Sequence, residues 1–206
     1  LEQIIKRERR IVKMSGMESF VKEKENVVIL YSGGADSTLL LEIARKIGKY
    51  PFCVLIDYGQ LHIEELTFAE KQCKERNLSY QIVKLSGYNV ESGLTGSGEK
   101  GIYEGVHSHN VPARNSIFLS IAYGIAESLE IQEIWYGADW SDFEHLFPDC
   151  TQEYIGSFNK MLEKAAVRPI KVYAPTLGLS KEMVIHLLQY FGVNEKSIFS
   201  GYGEFA

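Results

Sequence analysis

The stretch Ser32-Gly33-Gly34-Ala35-Asp36-Ser37-Thr38 sets two adjacent glycines among three hydroxyl side chains and one carboxylate. Glycine reaches backbone angles closed to other residues and lets the main chain approach an oxyanion, while N–H groups at a helix start point toward it. Ser32, Ser37 and Thr38 add hydroxyl donors, so the pattern suits phosphate oxygens. It is not G-x-x-x-x-G-K-[ST], since no lysine follows, nor is it G-x-G-x-x-G. Local composition alone leaves an ordinary Gly-Gly turn, with Asp36 and Ser37 capping the next helix, as an equal alternative.

Such a turn needs a strand before it and a helix after it, and the flanks supply both. Val27, Val28, Ile29 and Leu30 form an apolar run, and Leu39, Leu40, Ile43 and Ile47 follow at helical spacing. "PFCVLIDYGQ" reads as a second strand, "HIEELTFAEKQCKERN" as a helix with Leu66, Ala69 and Cys73 on one face, and "SYQIVKL" as a third strand. Residues 86–112 are rich in glycine and lack a sustained period, which predicts a long loop of the kind that covers a site or moves. Beyond it come a helix in "RNSIFLSIAYGIAESLE", a strand in "IQEIWYGAD", a helix in "TQEYIGSFNKMLEKAA", a strand in "IKVYAP" and a last helix in "SKEMVIHLLQYFG".

Alternating strands and helices predict an α/β fold: a Rossmann-like, doubly wound parallel sheet of about five strands with helices on both faces. Ligands in such sheets gather beyond the carboxyl ends of the strands, so residues 32–37, 57–62 and 137–143 are expected to converge. Residues 1–25 carry Ile4, Ile5, Ile11, Val12, Met17 and Phe20 among charges and are expected to form a helical N-terminal extension, with residues 26–206 as the α/β domain. The apolar side of that extension makes a homodimer plausible.

Composition narrows the class. A net charge of -5, from 22 Lys+Arg against 27 Asp+Glu, gives no basic field for holding a nucleic-acid backbone. Cys53, Cys73 and Cys150 are odd in number, far apart and without C-x-x-C, so neither a disulfide framework nor a self-contained zinc site is suggested, and a reducing cytoplasm fits. No 18-residue apolar span is present, so no membrane association is expected. His107 and His109, two residues apart with no third ligand nearby, make a poor metal pair.

"SGGADS" at a strand end resembles the S-G-G-x-D-S pyrophosphate loop of the PP-loop ATP pyrophosphatase superfamily, whose members cleave ATP between the α and β phosphates and adenylate an oxygen. "DYGQLHIEE" (57–65), "VPARN" (111–115), "DF" then "PDC" (142–150), and "SK" after "APTLGL" resemble, in order, the motifs of 7-cyano-7-deazaguanine synthases, the QueC-like family. The resemblance runs from about Val27 to Gly192. It implies an ATP-dependent C–N ligase that converts 7-carboxy-7-deazaguanine to an amide and then a nitrile with ATP, Mg²⁺ and ammonia. Some relatives are associated with antiviral defence and join the activated base to a protein amine, and a third reading is an ATP-binding module without chemistry.

Under that resemblance Ser32, Gly33, Gly34, Asp36, Ser37, Thr38, Asp57, Tyr58, Gln60, Arg114 and Gly137 are expected around ATP, with Asp36, Ser37, Arg114 and Lys181 in the chemistry. His62, Glu65, Asn115, Asp139, Asp142, Phe143 and Asp149 are expected around the deazaguanine. The residue types agree: guanidinium binds phosphate or carboxylate in a fork at a helix start, and clustered carboxylates suit Mg²⁺ or the N–H edge of a guanine-like ring. Asp36 is the candidate Mg²⁺ ligand. Asp149 serves equally as a helix cap ahead of Thr151, His62 as a structural histidine and Lys181 as a surface lysine. The family's zinc cysteines have no counterpart: Ser200 and Gly201 stand where the first is expected, so the structural zinc is expected to be absent.

Overall fold

Val27 and Ile29 point to one side of the first strand and Val28 to the other, and all three are fully buried. A strand apolar on both faces must be covered on both, which is the condition for an interior strand of a parallel sheet. The computed structural model describes residues 26–87, 111–138 and 147–199. Within them lie five strands, β1 (Asn26–Leu30), β2 (Tyr50–Asp57), β3 (Ser79–Lys84), β4 (Glu133–Trp135) and β5 (Lys171–Tyr173). The helices are α1 (Ala35–Lys46), α2 (Ile63–Glu75), α3 (Arg114–Ser128), α4 (Gln152–Ala165) and α5 (Lys181–Tyr190).

The sheet runs β3-β2-β1-β4-β5 and every pairing is parallel. The expected doubly wound α/β sheet of five strands is therefore present. Val27, Ile29, Cys53, Leu55 and Trp135 pack under α1 and α2 through Leu40, Leu41, Ala44, Ala69 and Cys73. On the opposite face Val28, Val54, Ile134 and Val172 meet Leu119, Ala122 and Ala126 of α3, and Ile155, Phe158 and Leu162 of α4. Helices that carry the chain toward β3 thus lie on one face and those that carry it toward β5 on the other, as a uniform crossover hand requires. The reversal falls between β1 and β4, where an open α/β sheet opens a crevice at its carboxyl edge.

The fifth helix packs on α1 rather than on the sheet: Ala35 and Leu39 meet Leu179, Val184 and Leu188. Burying side chains of this size stabilises the fold by about 1.5–3 kcal/mol each. That contact sets the start of α5 beside the start of α1. Its own start is capped by Ser180, whose hydroxyl accepts from the Met183 amide at 3.3 Å. The expected helical extension of residues 1–25, on which the homodimer expectation rests, the loop bearing His107 and His109, and the segment from Ser200 onward lie outside the described residues.

Candidate active site

The strand-to-helix turn after β1 is closed by its own hydroxyls. Gly34 is the N-cap of α1 with no side-chain cap, so Asp36 and Ser37 do not cap as the plain-turn alternative required. Ser37 Oγ donates to Gly34 O at 3.1 Å, accepts from the Ser32 amide at 3.3 Å and lies 3.3 Å from Ser32 Oγ. The Gly34 amide donates to Ser32 Oγ at 3.3 Å. Gly33 sits at φ +84°, in the left-handed region that favours glycine, and a Cβ built there would lie 3.1 Å from the Phe68 ring. The result is a main-chain bend at a helix N-terminus, where the dipole and amide donors favour an anion.

Three other segments close on this bend. A Cβ on Gly137, just past β4, would lie 2.9 Å from Asp36 Cβ and 3.3 Å from Ser37 N, so only glycine lets β4 approach the helix start this closely. Lys181 Nζ, from the first residue of α5, lies 3.4 Å from Asp36 Oδ2. The Phe199 amide donates to Gly33 O at 2.9 Å. Thr38, expected among the nucleotide contacts, is fully buried with its hydroxyl donating to Gly33 O at 3.4 Å, so it braces the bend from beneath instead of facing a ligand. Burial also pushes the neighbouring Tyr31 phenol up to about 12, with the Thr38 hydroxyl working the other way.

Across the tip of β4 lies a second group. Arg114 opens α3 behind Ala113, which holds a left-handed φ of 56°. Burial works against the guanidinium's charge, but the Tyr58 phenol hydrogen-bonded to it and the nearby Asp149 carboxylate and Cys150 thiol hold its pKa above the usual range. Tyr58 is buried and its ring tilts against Phe118 at 5.2 Å. Asn115 Nδ2 donates to Cys150 Sγ at 3.5 Å. Asp149 does not cap α4: Thr151 does, its hydroxyl accepting from the Tyr154 amide at 3.1 Å. Tyr136 joins this group by donating to Asp149 O at 3.0 Å, one residue before Gly137 reaches the bend.

The turn after β2 is only partly drawn in. Asp57 Oδ1 accepts from the Gly59 amide at 3.3 Å and Oδ2 lies 3.6 Å from Lys84 of the edge strand, so this carboxylate shapes its own turn and pairs with the edge strand. Gln60 is buried with its Oε1 accepting from the Tyr58 amide at 3.0 Å, which sets Tyr58 rather than a base. His62 is exposed at the N-cap of α2 without a side-chain cap, and its carbonyl accepts from the Glu65 amide at 3.0 Å. Asp139, Asp142 and Phe143 lie outside the described residues.

Sequence reasoning assigned no site role to Tyr136, Thr176 or Phe199, and took Cys150 only as a distant thiol and the end of "PDC". Thr176 is fully buried between the two carboxyl-edge loops, donating to Ala138 O at 2.8 Å and accepting from the Ala138 amide at 3.3 Å. Thr176 and Cys150 fall inside "APTLGL" and "PDC", but nothing local marks Tyr136 or Phe199.

A strand, a Ser-Gly-Gly-x-Asp-Ser bend and a helix in an all-parallel five-stranded sheet define an α/β protein of the PP-loop type. The fold is similar to the U34-tRNA thiolase NcsA from Methanococcus maripaludis, with a TM-score of 0.59 at 15% identity over 94% of this chain and 66% of that one. It is also similar to a predicted subunit of tRNA methyltransferase from Methanocaldococcus jannaschii, with a TM-score of 0.55 at 22% identity over 80% of this chain and 76% of that one. The family model described as "Queuosine biosynthesis protein QueC" matches residues 26–205, and the chain belongs to that family. Among its relatives are 7-cyano-7-deazaguanine synthase from Coxiella burnetii, 39% identical over 86% of this chain and 83% of that protein, and 7-cyano-7-deazaguanine synthase 1 from Colwellia psychrerythraea, 34% identical over 78% and 77%.

Proposed function

We propose that this chain is an ATP-dependent ligase acting on the carboxylate of 7-carboxy-7-deazaguanine. A carboxylate is a poor electrophile; its oxygen attacks the α-phosphorus of ATP, pyrophosphate leaves, and the acyl carbon then carries AMP as a good leaving group. Ammonia adds to that carbon, loses a proton and displaces AMP to give the amide. The amide oxygen attacks the α-phosphorus of a second ATP, pyrophosphate leaves, and loss of AMP together with the two amide protons gives the nitrile. Membership of the QueC family supports this substrate, and a free base in a cytoplasmic setting suits the acidic chain.

The observation that carries the reading is the 32–37 bend with Lys181 beside it. The Gly34 amide and the Ser32 and Ser37 hydroxyls, bonded to one another and to the Gly34 carbonyl here, are donors at a helix start that pyrophosphate oxygens would draw away, and Lys181 adds a cation where charge grows as the phosphoester bond breaks. Asp36 would repel phosphate unless a cation stands between them. No cluster of three or more His, Cys, Asp or Glu able to hold a metal occurs among the described residues, so Mg²⁺ would take most of its oxygens from the phosphates, with Asp36 as one carboxylate. Arg114, kept charged by its surroundings, suits the carboxylate of the base, and Asp149 and Asn115 suit its polar edge.

The purified protein, given 7-carboxy-7-deazaguanine, ATP, Mg²⁺ and ammonium, is expected to release AMP and form a product with the mass of the nitrile. Asp36→Ala is expected to abolish AMP release with an unchanged circular dichroism spectrum, and normal release by that variant would remove the assignment of the bend. With Ser200 and Gly201 in place of the family's first zinc cysteine, conjugation to a protein amine is the second reading. A base-sized mass added to protein would select it, and nucleotide binding without AMP release would leave a binding module.

A further inference from the structure

The Gly33–Gly34 peptide controls what the bend can bind, and its orientation is held from the far end of the described chain. In a trans peptide the carbonyl and the following N–H point in opposite directions. Fixing Gly33 O therefore fixes where the Gly34 N–H points. Gly33 O takes two donors, the Phe199 amide at 2.9 Å and the Thr38 hydroxyl at 3.4 Å. The Gly34 amide is left on the other side, with Ser32 Oγ at 3.3 Å. Flanked by two glycines, this peptide meets little steric resistance to flipping, and a flipped peptide would turn a carbonyl oxygen toward the anion.

Phe199 is itself anchored. Its ring tilts against Phe68 with centroids 5.9 Å apart, and Phe68 is the side chain that fills the space beside Gly33. Ile198 is buried among Ala35, Leu39, Leu179 and Val184, the same cluster that sets α5 and Lys181 beside α1. The segment is thus tied on one flank to the packing that places Lys181 and on the other to the main chain of the bend.

We propose that Ile198 and Phe199 form a strap that locks the Gly33–Gly34 peptide with its N–H toward the phosphate, making Phe199 a positioning residue for pyrophosphate binding through its backbone. This rests on the proposed nucleotide role of the bend. Phe199→Pro deletes the donor, while Phe199→Ala keeps the donor and deletes the ring. Inorganic pyrophosphate is the probe, as an inhibitor and by calorimetry, together with separate KM values for ATP and for the carboxylate substrate.

Phe199→Pro is expected to weaken pyrophosphate about tenfold and raise the KM for ATP by a similar factor, as loss of one oriented amide donor would. The KM for the carboxylate substrate is expected to stay at the wild-type value, and Phe199→Ala is expected to shift pyrophosphate less than Phe199→Pro does. Wild-type pyrophosphate affinity in Phe199→Pro would overturn the strap, as would equal rises in both KM values that follow a lowered Tm. Should Phe199→Pro fail to fold, an ester in place of the Phe199 amide removes the N–H alone, with the same expected and contrary results. A wild-type protein that binds neither pyrophosphate nor ATP would instead overturn the proposed function, and the strap with it.

Discussion

Gly137 and Asp36 show how one missing carbon governs the site. A Cβ at 137 would sit 2.9 Å from Asp36 Cβ, and neither partner is the free end of a flexible side chain. Gly137→Ala must therefore push β4 off the bend, and displacement of a reacting group by about 1 Å can lower a rate about a hundredfold. AMP release by Gly137→Ala is expected to fall by at least about tenfold with the fold kept, and wild-type turnover would remove Gly137 from the account. Tyr31 offers a test that needs no substrate. Its phenol ionises at about 12 when folded against 10.0 unfolded, so folded and unfolded chains both hold the proton below pH 10 and the full contribution is present there. Between pH 10 and 12 the unfolded chain releases the proton first, and stability falls by about 2–3 kcal/mol. Urea denaturation at pH 9 and pH 11.5 is expected to show a smaller loss in Tyr31→Phe than in wild type; parallel losses would contradict this.

At the scale of elements, β5 is an edge strand whose outward main chain is already occupied. The Asn159 carboxamide of α4 accepts from the Val172 amide at 2.7 Å and donates to the Val172 carbonyl at 2.9 Å, copying a neighbouring strand. Asn159→Leu leaves both groups without their partner and the edge open to another chain. A loss of about 1–3 kcal/mol in urea, with increased light scattering at high concentration, is the expected result; unchanged stability would show that water replaces Asn159 at no cost. The elements themselves were legible in the sequence. Among the described residues each of the five strands and five α-helices lies within a few residues of its reading because the periods of two and 3.6 are local properties. Asn159 was invisible inside "TQEYIGSFNKMLEKAA", since nothing local says that its helix crosses an edge strand. Cys53 and Cys73 tell the same story: they read as distant thiols, yet they share one buried cluster because β2 and α2 pack face to face.

Over the whole molecule, the carboxyl edge of the sheet holds the site and the amino edge holds a buried charge. Lys49, just before β2, lies 3.0 Å from Glu133 of β4 across the intervening β1, and Trp135 Nε1 donates to the second oxygen of Glu133 at 3.2 Å. Lys49→Met leaves that carboxylate buried without its cation and is expected to cost about 3–5 kcal/mol. Adding Glu133→Gln, which keeps an acceptor for Trp135, is expected to recover most of the loss; a double variant no better than the single would contradict the pairing. The same scale explains what sequence could and could not say of the site. The bend was legible because glycines, hydroxyls and an aspartate fall within seven residues. Asp57 read as a ligand from "DYGQLHIEE" at a strand end, and the order β3-β2-β1-β4-β5 also makes Lys84 its neighbour, which no local pattern shows. Phe199 lies more than 160 positions from the bend in sequence, and folding removes that distance.

If the bend presents the α-phosphorus of ATP to a carboxylate oxygen, that oxygen must leave in AMP. 7-Carboxy-7-deazaguanine labelled with ¹⁸O in its carboxylate makes that transfer visible. Mass spectrometry of the released nucleotide is expected to find one labelled oxygen in AMP and none in pyrophosphate. AMP formed without the label would contradict the account.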